Sequence, residues 1–143
     1  MNIIILPKYR AEKFEPANRT IMISVVDPEE PTPNIQFENK FVDIFYLKFH
    51  DTDSRYSDNY QALSESTALE ILVFVKKYVD IIDTIVVHCM AGISRSAGIA
   101  AALSDILGMG SQHIFNGPYI PNRHVYRMIL NTNFEHGVFN SKI

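Results

Sequence analysis

The chain has 143 residues and a formal net charge of −3 at pH 7, from 13 basic and 16 acidic side chains. That length holds one domain with a single core, and a composition of 47% hydrophobic and 20% charged residues is globular rather than disordered. The acidic balance excludes an electrostatic case for general nucleic-acid binding, and the single cysteine, Cys89, excludes an internal disulfide or a zinc site built on several thiolates.

In chain order, Ile3 to Leu6 is a short β-branched run that reads as a buried strand ended by Pro7. It is too short for a signal-peptide core and has no basic residue before it. No later stretch approaches the roughly 18 apolar residues that a membrane span needs. The expectation is a single domain over residues 1–143 in a reducing, cytoplasmic setting, with no membrane partner. Lys8 to Phe14 reads as a short helix or a turn, and Thr20 to Val26 as a second strand closed by the turn signal Asp27-Pro28. The Pro-rich patch from Pro28 to Pro33 is a surface loop within the domain.

Lys40 to Phe49 is apolar on both alternating faces, which predicts a central strand covered on both sides. The polar segment His50 to Tyr60 then reads as a loop. A helix is expected from Ser64 to Val79, with Leu69, Leu72 and Val73 near helical spacing and Thr67-x-x-Glu70 as a capping box. Thr84 to His88 is a compact strand, and Ser94 to Leu107 is a small-residue apolar helix ended by Gly108. Pro121 opens a last helix with Val125, Met128 and Ile129 facing inward. Strands alternating with helices predict an α/β fold: a central, mostly parallel sheet of about four to five strands flanked by helices.

The segment His88-Cys89-Met90-Ala91-Gly92-Ile93-Ser94-Arg95-Ser96 concentrates the chemistry. Singly, His88 would be a buried histidine, Ser94 and Ser96 helix-capping serines, and Arg95 a surface charge. Together they place a thiol at the end of a strand, facing a helix N-terminus, where open α/β sheets bind ligands. A free thiol of ordinary pKa near ~8.5 is only a few per cent thiolate at pH 7, and helix N-terminal amides stabilise the anion. The five residues between Cys89 and Arg95 can wrap a loop whose N–H groups converge on a tetrahedral oxyanion. Gly92 lets that backbone turn, and Arg95 offers a planar, permanently charged fork for two phosphate oxygens.

This segment resembles the signature loop of the cysteine-dependent protein tyrosine phosphatases, His-Cys-x5-Arg-Ser/Thr. It is similar above all to the small dual-specificity phosphatases and to short bacterial and phage tyrosine-phosphatase-like proteins. Weaker similarity in YLKFHDTD, FVKKYVD and IPNRHVYRMIL extends it over roughly residues 20–130. The resemblance implies a tyrosine-phosphatase-like fold and a phosphomonoesterase working through a phosphocysteine intermediate. Cys89 would be the nucleophile and Arg95 the phosphoryl-binding cation. The backbone of Met90, Ala91, Gly92, Ile93, Ser94 and Arg95 would form the phosphate cradle. His88 would orient the loop and favour the thiolate, and Ser96 would help the sulfur to leave. No metal or cofactor is implied, because Arg95 and the amides supply the charge stabilisation.

A general acid is also required, and Asp51, Asp53 and Asp58 all lie in the loop after the third strand. Matching to dual-specificity relatives favours Asp53; the short bacterial relatives, with an F-x-D pattern like Phe49-His50-Asp51, favour Asp51. The uncharged loop residues argue against a polyphosphorylated lipid, and Ser94 against the relatives that act on RNA 5′-phosphates. A phosphorylated protein or peptide is the expected partner, phosphotyrosine first and phosphoserine or phosphothreonine second. Tyr56, Tyr60, Phe115 and Tyr119 are candidates for an aromatic rim. The alternative is a phosphate-binding module of the same fold without turnover. The oligomeric state is not written in the sequence.

Overall fold

In the computed structural model, residues 1–52 and 59–139 are described. Four strands form one sheet among them: β1 (Asn2–Pro7), β2 (Thr20–Val26), β3 (Asp43–Lys48) and β4 (Thr84–Cys89). Their order is β1-β4-β2-β3, and every pairing is parallel. The helices are α1 (Lys8–Ala11), α2 (Glu65–Tyr78), α3 (Arg95–Ile106), α4 (Gln112–Phe115) and α5 (Arg123–His136). None of them is long and apolar enough to cross a membrane.

β2 and β4 are buried at every residue, as expected of central strands whose β-branched side chains feed two faces. On one face Ile21, Ile23, Ile85 and Val87 join α2, α3 and α5 in the larger core. On the other, Met22 and Val86 pack with Leu6, Ala11, Ile35 and Phe41 under the α1 and 35–41 segments.

The sequence pattern misplaces β3. It is an edge strand of six residues, not a central one, and Lys48 at its end is exposed. Its apolar residues fill both faces because both faces of the sheet are covered: Phe45 packs on Phe74 of α2 at 5.4 Å, while Ile44 and Tyr46 lean on the opposite cluster. Only its outer edge is open. Periodicity reports covered faces and says nothing about edges.

Two helix caps differ from expectation. Ser64, not Thr67, caps α2, its hydroxyl accepting from the Thr67 N–H at 3.2 Å. The buried stripe is therefore Ala68, Ile71, Leu72 and Val75, and Val73 faces solvent. Pro121 precedes the cap of α5 instead of opening the helix; Asn122 caps it by accepting from the Val125 N–H at 3.0 Å. Val125 and Ile129 are buried, as expected. The short α4 was not foreseen, four residues being too few to show a period.

Candidate active site

Three neighbouring parallel strands end at the same edge of the sheet, and each delivers a polar group there. β4 ends in Cys89, β2 is followed by Asp27, and β3 runs on to the Phe49 carbonyl and Asp51. Parallel direction alone brings residues so far apart in sequence to one place.

Cys89 is buried, 2% exposed. Its Sγ lies 3.1 Å from Ser96 Oγ and accepts from the Gly92 N–H at 3.3 Å. Gly92 has φ +70, and a Cβ there would stand 2.5 Å from Pro7 N, so both backbone conformation and space demand glycine. Lys8 N–H, at the start of α1, donates to the Met90 carbonyl at 3.1 Å and ties the loop down a second time. Beyond Gly92, the backbone N–H groups of Ala91, Ile93, Ser94 and Arg95 find no protein acceptor among the described residues. They are the unpaired amides of the loop and of the first turn of α3.

Arg95, the first residue of α3, is 4% exposed. Its Nη1 donates to Asp27 Oδ1 and to the Phe49 carbonyl, both at 2.7 Å. Its Nε is buried and has no partner among the described residues. A charged donor left unpaired inside a protein costs free energy, so an orphan here marks a position for an anionic acceptor. Asp27 escaped the sequence reading, where Asp27-Pro28 signalled only a turn. The signal available was an acid directly after a fully buried strand.

His88 points to the other face of the sheet, among the cluster that holds Leu6 and Met22. Its Nδ1 lies 3.3 Å from the Cys89 carbonyl, which can only accept, so Nδ1 carries the proton. Nε2 then accepts from the Ser24 hydroxyl at 2.6 Å. Burial pushes the His88 pKa below its ordinary value, and the ring is neutral at pH 7. His88 thus touches the loop through a single hydrogen bond, to the Cys89 carbonyl, and brings no positive charge to the thiol.

Asp51 lies at the rim. Its Oδ1 accepts from the Ser94 hydroxyl and from Asn122 Nδ2, each at 2.8 Å. Ser94 spends its hydroxyl on Asp51 instead of capping α3. Asn122 therefore does two jobs, capping α5 with Oδ1 and holding Asp51 with Nδ2. The backbone of this segment is locked to the loop as well, Ile120 N–H donating to the Ile93 carbonyl and Asn122 N–H to the Ser94 carbonyl. A Cβ on Gly98 of α3 would stand 2.7 Å from the Asn122 carbonyl, so glycine is what lets this segment lie so close.

The result is a pocket of about 500 Å³ lined by Cys89, Met90, Ala91, Ile93, Ser94, Arg95, Asp51 and Ile120. Ser96 lies beneath it, fully buried. Asp53, Asp58 and Tyr56 fall outside the described residues. Tyr60, Phe115 and Tyr119 do not line the pocket: Tyr60 packs edge-on to His50, and Phe115 edge-on to Tyr126, each pair 5.0 Å apart. The apolar rim consists of Ile93 and Ile120 instead, 42% and 75% exposed.

Solved structures share this architecture. A human tyrosine phosphatase-like serine/threonine/tyrosine-interacting protein superposes with a TM-score of 0.65 at 17% identity, over 94% of this chain and 93% of that one. Human DUSP28 gives 0.63 at 15% identity, covering 96% and 95%. PTPMT1 in complex with PI(5)P gives 0.58 at 13%, covering 94% and 91%. The fold is that of the dual-specificity phosphatases. At these identities the likeness is one of fold, and no protein-family model and no curated protein matches the chain. In this chain the loop from Cys89 to Ser96 lies at the carboxyl edge of the parallel sheet.

Proposed function

We propose that the chain hydrolyses phosphomonoesters through a phosphocysteine intermediate, with phosphotyrosine in proteins as the leading substrate. The observation that carries this reading is Arg95, whose buried Nε has no partner among the described residues and which lines the same pocket as Cys89. A phosphoryl group seated there would accept from Arg95 Nε and from the free loop amides, at the oxygens whose charge grows in the transition state.

In the first step Cys89 Sγ attacks phosphorus in line. The S–P bond forms, the P–O bond to the substrate breaks, and the departing oxygen takes a proton from Asp51. In the second step Asp51 accepts a proton from water, the water oxygen attacks phosphorus, and the S–P bond breaks. Ser96 Oγ–H donates to the leaving sulfur, and inorganic phosphate departs. Asp51 is the acid of choice because it stands on the pocket rim, held by Ser94 and Asn122. His88 keeps the loop in shape from behind.

Turnover of p-nitrophenyl phosphate, with acid-quench mass spectrometry for a phosphate on Cys89, tests the proposal. Cys89→Ser should lower kcat by about 10⁴-fold or more while phosphate analogues still bind. A variant that retained its wild-type rate would sink the nucleophile assignment. Tight phosphopeptide binding without any turnover by the wild-type chain would leave the binding module as the correct reading.

A further inference from the structure

The segment that carries Asp51 is fastened at a second place. His50, the residue before it, is buried, and both of its ring nitrogens are engaged. Nδ1 accepts from the Gln61 N–H at 2.8 Å, so the ring proton sits on Nε2, which donates to the two Glu29 carboxylate oxygens at 2.8 and 3.0 Å. The His50 N–H donates to the Gln61 carbonyl at 2.7 Å, and the Tyr60 ring stands edge-on to the imidazole at 5.0 Å. Glu29 belongs to the turn after β2, closed by the Glu30 N–H on the Asp27 carbonyl at 3.0 Å. Pro28 occupies the second position of that turn, which its fixed φ suits. The same turn presents Asp27 to Arg95 at 2.7 Å. One tight turn thus grips Arg95 through Asp27 and the Asp51 segment through Glu29.

We propose that Glu29 and His50 are positioning residues for Asp51, setting where its carboxyl stands relative to Cys89 and Arg95; this rests on the reading of Asp51 as the general acid. Ser94 and Asn122 anchor one carboxyl oxygen of Asp51, which leaves the backbone behind that side chain to be fixed by other means. His50 fixes it. Its main chain is bonded to Gln61, and its ring spans from Gln61 to Glu29, so the residue before Asp51 is tied to the turn that holds Arg95. An apolar side chain would fill the same space without desolvating two ring nitrogens. What imidazole adds is a rigid spacer with an acceptor on one edge and a donor on another. Proton transfer rewards such rigidity. The acid must come within about 2.6–3.2 Å of the departing oxygen, and a misplacement of about 1 Å can cost on the order of 10²-fold in rate.

The test compares kcat/KM on p-nitrophenyl phosphate and phenyl phosphate, small esters with no flanking residues to meet Glu29. Phenol, with a pKa of about 10 like tyrosine's, depends on a donated proton more than the more acidic p-nitrophenol does. The Glu29 side chain is 66% exposed, so Glu29→Ala should keep the wild-type Tm. It should lower kcat/KM roughly 10-fold on phenyl phosphate and less than about 3-fold on p-nitrophenyl phosphate, with inhibition by inorganic phosphate unchanged. Glu29→Gln, whose amide oxygen still accepts from the His50 Nε2–H, should restore most of the loss. His50→Asn, whose Oδ1 can replace Nδ1 toward Gln61 but has no donor for Glu29, should resemble Glu29→Ala. In Asp51→Asn protein, Glu29→Ala should cost less than about two-fold more, because no acid is left to aim. Wild-type rates in Glu29→Ala, an equal loss on both esters, or a full further loss in Asp51→Asn protein overturns the proposal and leaves the phosphatase reading standing. If Asp51→Asn itself slows both esters equally, Asp51 is not the acid, and its assignment falls together with the proposal. A chain that hydrolyses neither ester overturns the phosphatase reading as well.

Discussion

The two halves of the candidate site are built in opposite ways. The Cys89–Ser96 half belongs to the core: Cys89 and Arg95 are nearly inaccessible, Gly92 is wedged against β1, and His88 is buried behind the sheet. The Asp51 half is exposed and is held in place by hydrogen bonds from Ser94 and Asn122. On the proposed mechanism the contrast separates charge stabilisation, which needs fixed dipoles in a dry setting, from proton transfer, which must meet both solvent and leaving group. Substitutions in the first half should therefore disturb fold and chemistry together. In the second they should touch the chemistry almost alone.

Arg95→Lys is the severest test of the buried half after loss of the thiol itself. Lysine keeps the charge but cannot hold Asp27 and the Phe49 carbonyl while presenting a second donor, so kcat/KM should fall by about 10³-fold. Thermal denaturation should also show a lower Tm. A fall in rate with Tm unchanged would mean that the Asp27–Arg95 pair contributes little to the fold.

Asp51→Asn addresses the exposed half. Its amide oxygen can still accept from Ser94 and Asn122, so geometry and Tm should persist while kcat drops by about 10²- to 10³-fold. The drop should be larger on an alkyl phosphate than on p-nitrophenyl phosphate, whose leaving group needs the proton less. If the basic limb of the pH–rate profile survives, the acid is another group, and Asp53→Asn is the next variant to assay.

Asn122→Ala joins the halves, since one side chain caps α5 and holds Asp51. It should cost about 1 kcal/mol in denaturant unfolding and lower kcat roughly 10-fold. Aspartate restores the cap but sets a second carboxylate against Asp51, so Asn122→Asp should recover neither the rate nor the full stability.

The smallest effect concerns His88. An unfolded histidine protonates near pH 6.5, whereas burial depresses the folded value. The unfolded chain therefore binds more protons once the pH drops below about 6.5. Stability from this group is complete above that pH and declines as the pH falls toward the depressed folded value. Urea midpoints from pH 8 to 5 should show the decline in the wild type and a shallower one in His88→Asn. An equal slope in both would assign the acid sensitivity elsewhere.

The sequence made the buried half legible because its chemistry is local. Cysteine, glycine and arginine at fixed spacing sit in one strand–loop–helix unit, and β-branched runs marked β2 and β4. What the sequence hid was contributed across the fold. Asp27 meets Arg95 over 68 positions, and Asn122 meets Asp51 over 71. Neither pairing has a periodic or spacing signature. The central position expected of β3 failed for the same reason, since strand order is a property of the assembled sheet.

The wedge of Gly92 against Leu6 and Pro7 has a kinetic consequence. β1 joins β4 in the register Leu6↔His88 and Pro7↔Cys89, so the anion cradle cannot close until segments some 80 residues apart have met. Such long-range closure carries its entropic cost before its reward. On refolding, helix signal should return before the chain regains affinity for a phosphate analogue. Oxyanion affinity would then be a late reporter of native structure, telling a finished fold from a merely collapsed one.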